Sequence, residues 1–303
     1  GAGHRGAVRS LSFPPDGQTI VTGSADSTEK LWDREGRELQ TLSGHMGAVR
    51  SVSFSPDGQT IVTGSDDSMA RLWDREGREL QTLSGHVGGL GSVSFSPDGQ
   101  TIATASADST VKLWDRQGRE LQTLLGHTDW VGSVSFSPDG QTIATTSGDS
   151  TAKLWDREGR ELQTLSGHTT WVWDVSFSPD GQTIATTSDD STVKLWDREG
   201  RELQTLSGHK RGVRSVSFSP DGQTIATASV DRTVIFWNFY LDSLITKSCH
   251  WLSDYMVNHD PPAEEKALCK DVLSPSQLSA APTQLSLASH LQSFWFDMQA
   301  WLK

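Results

Sequence analysis

The stretch LWDREGRELQTLSGH occupies residues 31–45 and returns letter for letter at 72–86, 154–168 and 195–209. A near copy, LWDRQGRELQTLLGH, fills 113–127, so the period is 41 residues throughout. A fixed period in the low forties marks a stacked array rather than independent domains, because about 40 residues bury too little surface to fold alone. Within a unit the pattern reads as strands. In the second, Val49 to Phe54 is β-branched and aromatic, Ser55-Pro56-Asp57-Gly58 turns the chain, and Thr60 to Ser65 follows. Asp66-Asp67-Ser68 closes that hairpin; Ala70 to Asp74 and Arg78 to Ser84 form the next pair around Glu76-Gly77. Asp-Gly and Glu-Gly supply the positive φ of tight hairpins. Four antiparallel strands per repeat predict an all-β chain of propeller blades.

Each unit also carries a Gly-His at its start and a Trp-Asp near its end, and on these motifs the chain resembles the WD-repeat family across residues 3–238. The histidines are His4, His45, His86, His127, His168 and His209; the tryptophans are Trp32, Trp73, Trp114, Trp155, Trp196 and Trp237, with Asn238 in place of the last aspartate. The resemblance implies a toroidal propeller of six four-stranded blades over residues 1–240. It also implies a non-catalytic scaffold for protein or peptide partners.

A serine and an aspartate recur with each His and Trp, as in His45, Ser65, Asp67, Trp73 and in His127, Ser147, Asp149, Trp155. By composition this is a Ser-His-Asp set, and a serine hydrolase is one reading. The resemblance implies instead a buried hydrogen-bond network in every blade, since a set repeated six times serves the fold. One histidine per blade lies too far from the next to share a metal at about 2 Å. No Cys-x-x-Cys, His-Glu-x-x-His, phosphate-binding loop or nucleophile elbow occurs, so neither metal nor cofactor is expected.

Differences between the copied units gather just after the Gly-His. Arg5, Arg9, Arg50, Lys210, Arg211 and Arg214 come from units one, two and six; Trp130, Trp171, Trp173, Asp129 and Asp174 come from units four and five. Loops on a rigid frame are where binding sits, and Trp and Arg dominate interface hot spots. These eleven residues are the candidate partner-binding set. They predict a basic half facing an aromatic–acidic half, the latter suited to a Lys or Arg of the partner through cation–π contact and ion pairing.

The chain has 303 residues, 34% of them hydrophobic, with 28 glycines, enough for a globular core. A net charge of −12 argues against generic nucleic-acid binding. Two cysteines, Cys249 and Cys269, suit a reducing compartment, and no leader is visible, so a cytoplasmic location is expected. Gly1 in place of a methionine predicts a processed or partial chain. One alternative reading is therefore the C-terminal sensor of a larger signalling protein, with an ATPase, kinase or protease effector upstream.

After Trp237 the pattern fades, although Leu244, Thr246, Ser248 and His250 keep the 41-residue phase. Residues 241–273 are read as a degraded outer strand and helical tail. Its runs CHWLSDY and ALCKDV resemble the tails of highly repetitive cyanobacterial, hence bacterial, WD-repeat signalling proteins. Residues 274–303 are read as a polar linker and an amphipathic helix with Leu287, Leu291, Phe294, Trp295, Met298, Trp301 and Leu302 on one face. Few basic residues flank that face, which argues against membrane binding. An incomplete last blade would leave a strand edge open to self-association.

Overall fold

The computed structural model describes residues 3–239. They form 23 strands in six antiparallel sheets, and no helix occurs among them. Blades 1 to 5 have four strands each, spanning Val8–Ser43, Val49–Ser84, Leu90–Leu124, Val131–Ser166 and Val172–Ser207. Blade 6 has three described strands: Val213–Phe218, Thr224–Ser229 and Val234–Asn238. The expected outer strand, helical tail, linker and terminal helix beyond residue 240 lie outside the described residues.

Strand order within each sheet follows the sequence, so every connection inside a blade is a hairpin. The turns explain why. Gly58 donates its N–H to Ser55 O at 2.8 Å with φ of 67°, and Gly77 donates to Asp74 O with φ of 83°. Both conformations fall in the left-handed region that glycine enters without cost.

The first strands of successive blades pack side by side from blade 1 to blade 6. Backbone amides reach across to the preceding blade: Val52 N donates to Ser10 Oγ at 3.1 Å, and Val93 N donates to Ser51 Oγ at 3.1 Å. The core lies between blades. Val21, Leu31 and Leu42 of blade 1 pack with Val49, Val52, Phe54, Ile61 and Trp73 of blade 2, and this composition recurs at the next three junctions. Each such side chain, taken from water to a buried site, contributes roughly 1.5–3 kcal/mol. The first strand of blade 1 and that of blade 6 do not pack on each other as successive first strands do. The described residues therefore form a stack of six blades with two end faces.

Candidate functional site

Two arrangements occupy the end of the stack where the Gly-His loops lie. The first is inside each blade. Trp73 Nε1–H donates to Thr63 Oγ1 at 3.0 Å, Thr63 lies 2.8 Å from His45 Nε2, and His45 Nδ1 lies 2.8 Å from Asp67 Oδ2. The Asp67 carboxylate can only accept, so the His45 proton facing it sits on Nδ1. Register explains the geometry, since Ile61 pairs with Trp73 and Thr63 with Arg71, which sets the indole diagonally beside the threonine. The same chain runs through Thr22, Thr104, Thr145, Thr186 and Thr227.

The hydroxyl at the centre is thus a threonine that the sequence reading did not single out. It lies two residues before the recurring serine and is equally invariant among the six copies. Ser65 instead donates to Gly47 O at 2.9 Å and accepts the Asp67 N–H at 3.1 Å, so it ties the loop to the turn. Ser147 does the same with Asp129 O and Asp149 N–H. Among the described residues no serine hydroxyl bonds to these histidines, so the nucleophile–base contact of acyl transfer is not formed. Thr63, Thr104, Thr145 and Thr186 are fully buried, out of reach of a substrate.

Asp67 also accepts the backbone N–H of Met46 at 2.9 Å and of Met69 at 3.0 Å. Burial opposes its charge, yet these N–H donors and the His45 ring hold its carboxyl below the usual range. Burial holds the imidazoles of His45, His86 and His168 below their ordinary value, against the pull of their aspartates. The residue after each aspartate, Ser68 in blade 2, sits at φ of 68°, a left-handed conformation closed by the same carboxylate.

Tryptophan burial follows the stack. Trp73, Trp114, Trp155 and Trp196 are buried, whereas Trp32 and Trp237 are half-buried. Trp32 lacks a preceding blade and Trp237 lacks a described fourth strand to cover it.

The second arrangement lies on the loop surface. Trp130, Trp171 and Trp173 form one cluster, with ring centroids 5.9 Å apart for Trp130–Trp171, 4.7 Å for Trp130–Trp173 and 5.8 Å for Trp171–Trp173. Two glycines make room for it. A Cβ at Gly132 would overlap the Trp130 ring, and one at Gly148 would lie 2.5 Å from Trp130 Nε1. In the corresponding positions blades 2 and 6 carry Arg50 and Arg214, and blades 2 and 5 carry Asp66 and Asp189. Trp171 is 45% exposed, while Trp130 and Trp173 are half-buried.

The acidic members of the expected aromatic–acidic half are occupied. Asp174 replaces the serine that links blades elsewhere. It accepts Ser133 Oγ–H at 2.9 Å from blade 4, and Ser215 Oγ–H and Val216 N–H at 3.0 Å from blade 6. Burial pushes its carboxyl upward despite these donors. Asp129 is exposed and accepts the N–H of Trp130 at 2.7 Å.

Nor does Arg214 face the tryptophans from a distance. The Arg214 guanidinium stacks 3.8 Å from the Trp173 centroid and pairs with Asp189 at 3.1 Å. Arg50 makes a two-pronged pair with Asp66, at 2.7 Å from Nη2. Arg5, Arg9, Lys210 and Arg211 are exposed and have no ion-pair partner among the described residues. No group of three or more His, Cys, Asp or Glu among the described residues is placed to hold a metal ion. No described helix is long and apolar enough to cross a membrane.

Comparison with known families agrees with this architecture. The family described as WD domain, G-beta repeat matches six times, at residues 2–33, 36–74, 77–115, 118–156, 159–197 and 200–238. The chain belongs to the WD-repeat family, whose members commonly serve as protein-interaction scaffolds. A search of curated proteins finds no significant match.

Proposed function

We propose that this chain is a non-catalytic scaffold that binds a protein or peptide segment on its Gly-His-loop surface, with the tryptophan cluster as anchor. The observation that carries the reading is the seating of Trp130 over Gly132 and Gly148, which builds one aromatic platform from two blades. Exposed Trp171 supplies the apolar contact, and a rigid indole loses little conformational freedom on binding.

The charges favour a partner of the opposite sign to the one composition suggested. Asp174 and Asp189 are engaged within the chain, so little free carboxylate remains for a cationic partner. The free side-chain charges among the candidate residues are mostly cations: Arg5, Arg9, Lys210 and Arg211. On a chain of net charge −12, Lys210 and Arg211, in the blade that follows Trp171 and Trp173, steer an anionic segment toward the cluster. The partner is thus read as an acidic peptide segment with an aromatic or aliphatic anchor.

The test is a peptide-display selection on the native chain, followed by titration of selected acidic–aromatic sequences. Trp171→Ala should weaken binding by at least about tenfold, as for a hot spot. A Lys210→Ala/Arg211→Ala double variant should slow association and flatten its salt dependence. Equal affinity for native and Trp171→Ala chains would remove the site from this surface.

A further inference from the structure

The repeat is broken at three positions around His45, at the junction of blades 1 and 2. Glu29 stands where the later blades carry Ala70, Val111, Ala152, Val193 and Val234. It is fully buried, and one of its oxygens lies 3.6 Å from His45 Nε2. Met69 stands where the other blades carry a threonine whose hydroxyl donates to the loop aspartate, as Thr110 does to Asp108 at 2.6 Å. Arg71 stands where blades 1, 3, 4 and 5 carry a lysine.

His45 is thus set between two carboxyl groups, with Asp67 Oδ2 at 2.8 Å from Nδ1 and Glu29 on the side of Nε2. Among the described residues each of the other five blade histidines has one carboxylate beside it, that of its own loop aspartate. The charges nearest the site are engaged elsewhere. Arg71 Nη1 pairs with Glu79 at 2.6 Å, and Asp67 accepts the Met46 N–H. In blade 1 Lys30 pairs with Glu38 at 2.7 Å, and the strand Thr19–Ser24 beside Glu29 holds no charged residue. In the strands Val49–Phe54 and Thr60–Ser65 of blade 2 the one charged residue is Arg50, which pairs with Asp66. Neither Glu29 oxygen nor Arg71 Nε has a hydrogen-bond partner among the described residues.

An ionised Glu29 would therefore be a buried charge with no bonded counter-ion, and a second carboxylate against one neutral imidazole. A single proton relieves both, whether it rests on Glu29 or on His45 Nε2. Burial is the largest influence on the Glu29 carboxyl and favours its protonated form, while Thr63 and Arg71 pull the other way without prevailing.

We propose that Glu29 and His45 hold one buried proton between them, and that this proton latches blade 1 onto blade 2. Closing the junction binds the proton and opening releases it, which makes this junction a pH-sensitive contact within the fold. An opened junction returns Glu29 to water, where it ionises near 4.5. Opening becomes easier as pH rises from there through about 8 and no easier beyond. Burial holds His45 below its ordinary value of 6.5, so His45 adds an opposite dependence only below that pH. Asp67, held below the usual carboxylate range, is ionised in both states above it. The latch is read alone between pH 6.5 and about 8. It rests on neither the loop surface nor its ligand.

Hydrogen exchange of the full chain, resolved by segment and corrected for the intrinsic pH dependence of exchange, tests this. The strands of blade 1, with Val49–Phe54 and Thr60–Ser65 of blade 2, should lose protection by up to about tenfold per pH unit in that window, as for release of one proton. Blades 4 and 5, which carry Ala152 and Val193 at this position, should stay better protected at every pH, because the junction opens without them. Glu29→Gln keeps the shape, cannot ionise and should abolish the dependence. Glu29→Val copies the later blades and should do the same, which covers the case in which a buried amide disturbs the junction. Protection in blade 1 that is flat across the window would overturn the proposal, as would a dependence that persists in both variants. Equal protection and equal loss in all blades would also overturn it, since the proton would then govern only unfolding of the whole chain.

Discussion

The guanidinium of Arg214 lies 3.8 Å from the ring centroid of Trp173, and its Nη2 lies 3.1 Å from Asp189. That stack continues through Trp173 to Trp130, so blades 4, 5 and 6 are joined at their loop surface by an indole pair capped with a paired cation. A partially desolvated cation–π contact of this kind contributes roughly 0.5–2 kcal/mol. Of the basic residues expected to stand opposite the tryptophans, Arg214 instead meets them directly.

Gly148→Ala should displace Trp130 without disturbing the strands. The new Cβ would lie 2.5 Å from Trp130 Nε1 and 2.9 Å from Asp129 Oδ2. The expected outcome is a shift in tryptophan fluorescence, weaker peptide binding and a stability loss of about 1–3 kcal/mol, because the site is buried and the added methyl overpacks it. Unchanged fluorescence would mean that the ring is not held where it lies.

Thr63→Val removes a buried hydroxyl while keeping the shape. It leaves the Trp73 N–H and His45 Nε2 unpaired at a site closed to water. The expected cost is about 2–4 kcal/mol in chemical denaturation, because an orphaned buried polar group costs about 1–3 kcal/mol. Thr63→Ser retains the hydroxyl and should cost about 1 kcal/mol, the worth of one buried methyl. Equal costs would show that the hydroxyl is not the link.

Glu29 is fully buried between blades 1 and 2, where the other blades place Ala70, Val111, Ala152, Val193 and Val234. Its carboxyl lies 3.6 Å from His45 Nε2, neither oxygen has a hydrogen-bond partner among the described residues, and burial pushes its pKa up to about 8. A carboxyl raised this way binds a proton in the folded state that the unfolded chain releases near 4.5. Stability therefore falls as pH rises from about 4.5 through about 8 and then levels off. Glu29→Val should stabilise the chain at pH 7 by about 3 kcal/mol and flatten this slope. A slope identical to the native chain's in a series of urea melts would contradict the assignment.

Acid should act in the opposite sense through the loop network. The Asp108 carboxyl is held at about 2, where donors from Thr110, His86 and Val87 outweigh burial. Carboxylates lowered in this way stabilise above the unfolded value of 3.8 and lose that contribution as pH falls toward 2. His86 and His168, lowered by burial, add a loss of the same sign as pH falls through 6.5. A Glu29→Val/Asp174→Ser chain, which lacks both raised carboxyls, should lose stability steadily from pH 7 to pH 2, checked by circular dichroism.

Much of the site chemistry was legible because the repeat compares itself. His45, Asp67 and Trp73 stand at fixed offsets in six copies, and their meeting in one blade needs only local hairpins. Thr63 was not legible: it and Ser65 lie two apart on one strand face, both are invariant among the copies, and only the register with Trp73 separates them. Asp174 read as a free acid beside tryptophans. Its neighbours Ser133 and Ser215 are 41 residues away on either side, so its pairing appears only when blades 4, 5 and 6 stand together.

The sequence by itself determined the unit: strand lengths, turn chemistry, the 41-residue period and the family follow from short-range patterns repeated along the chain. The tertiary structure alone decided which charges are free, since pairs such as Arg214–Asp189 and Arg198–Asp139 form between blades. It likewise decided that Glu29 is buried and that Val8, Leu11 and Phe13 are not, although Val49, Val52 and Phe54 carry nearly the same letters. The physical reason is that burial belongs to the junction. A face is core only when another blade covers it, and blade 1 has no predecessor among the described residues.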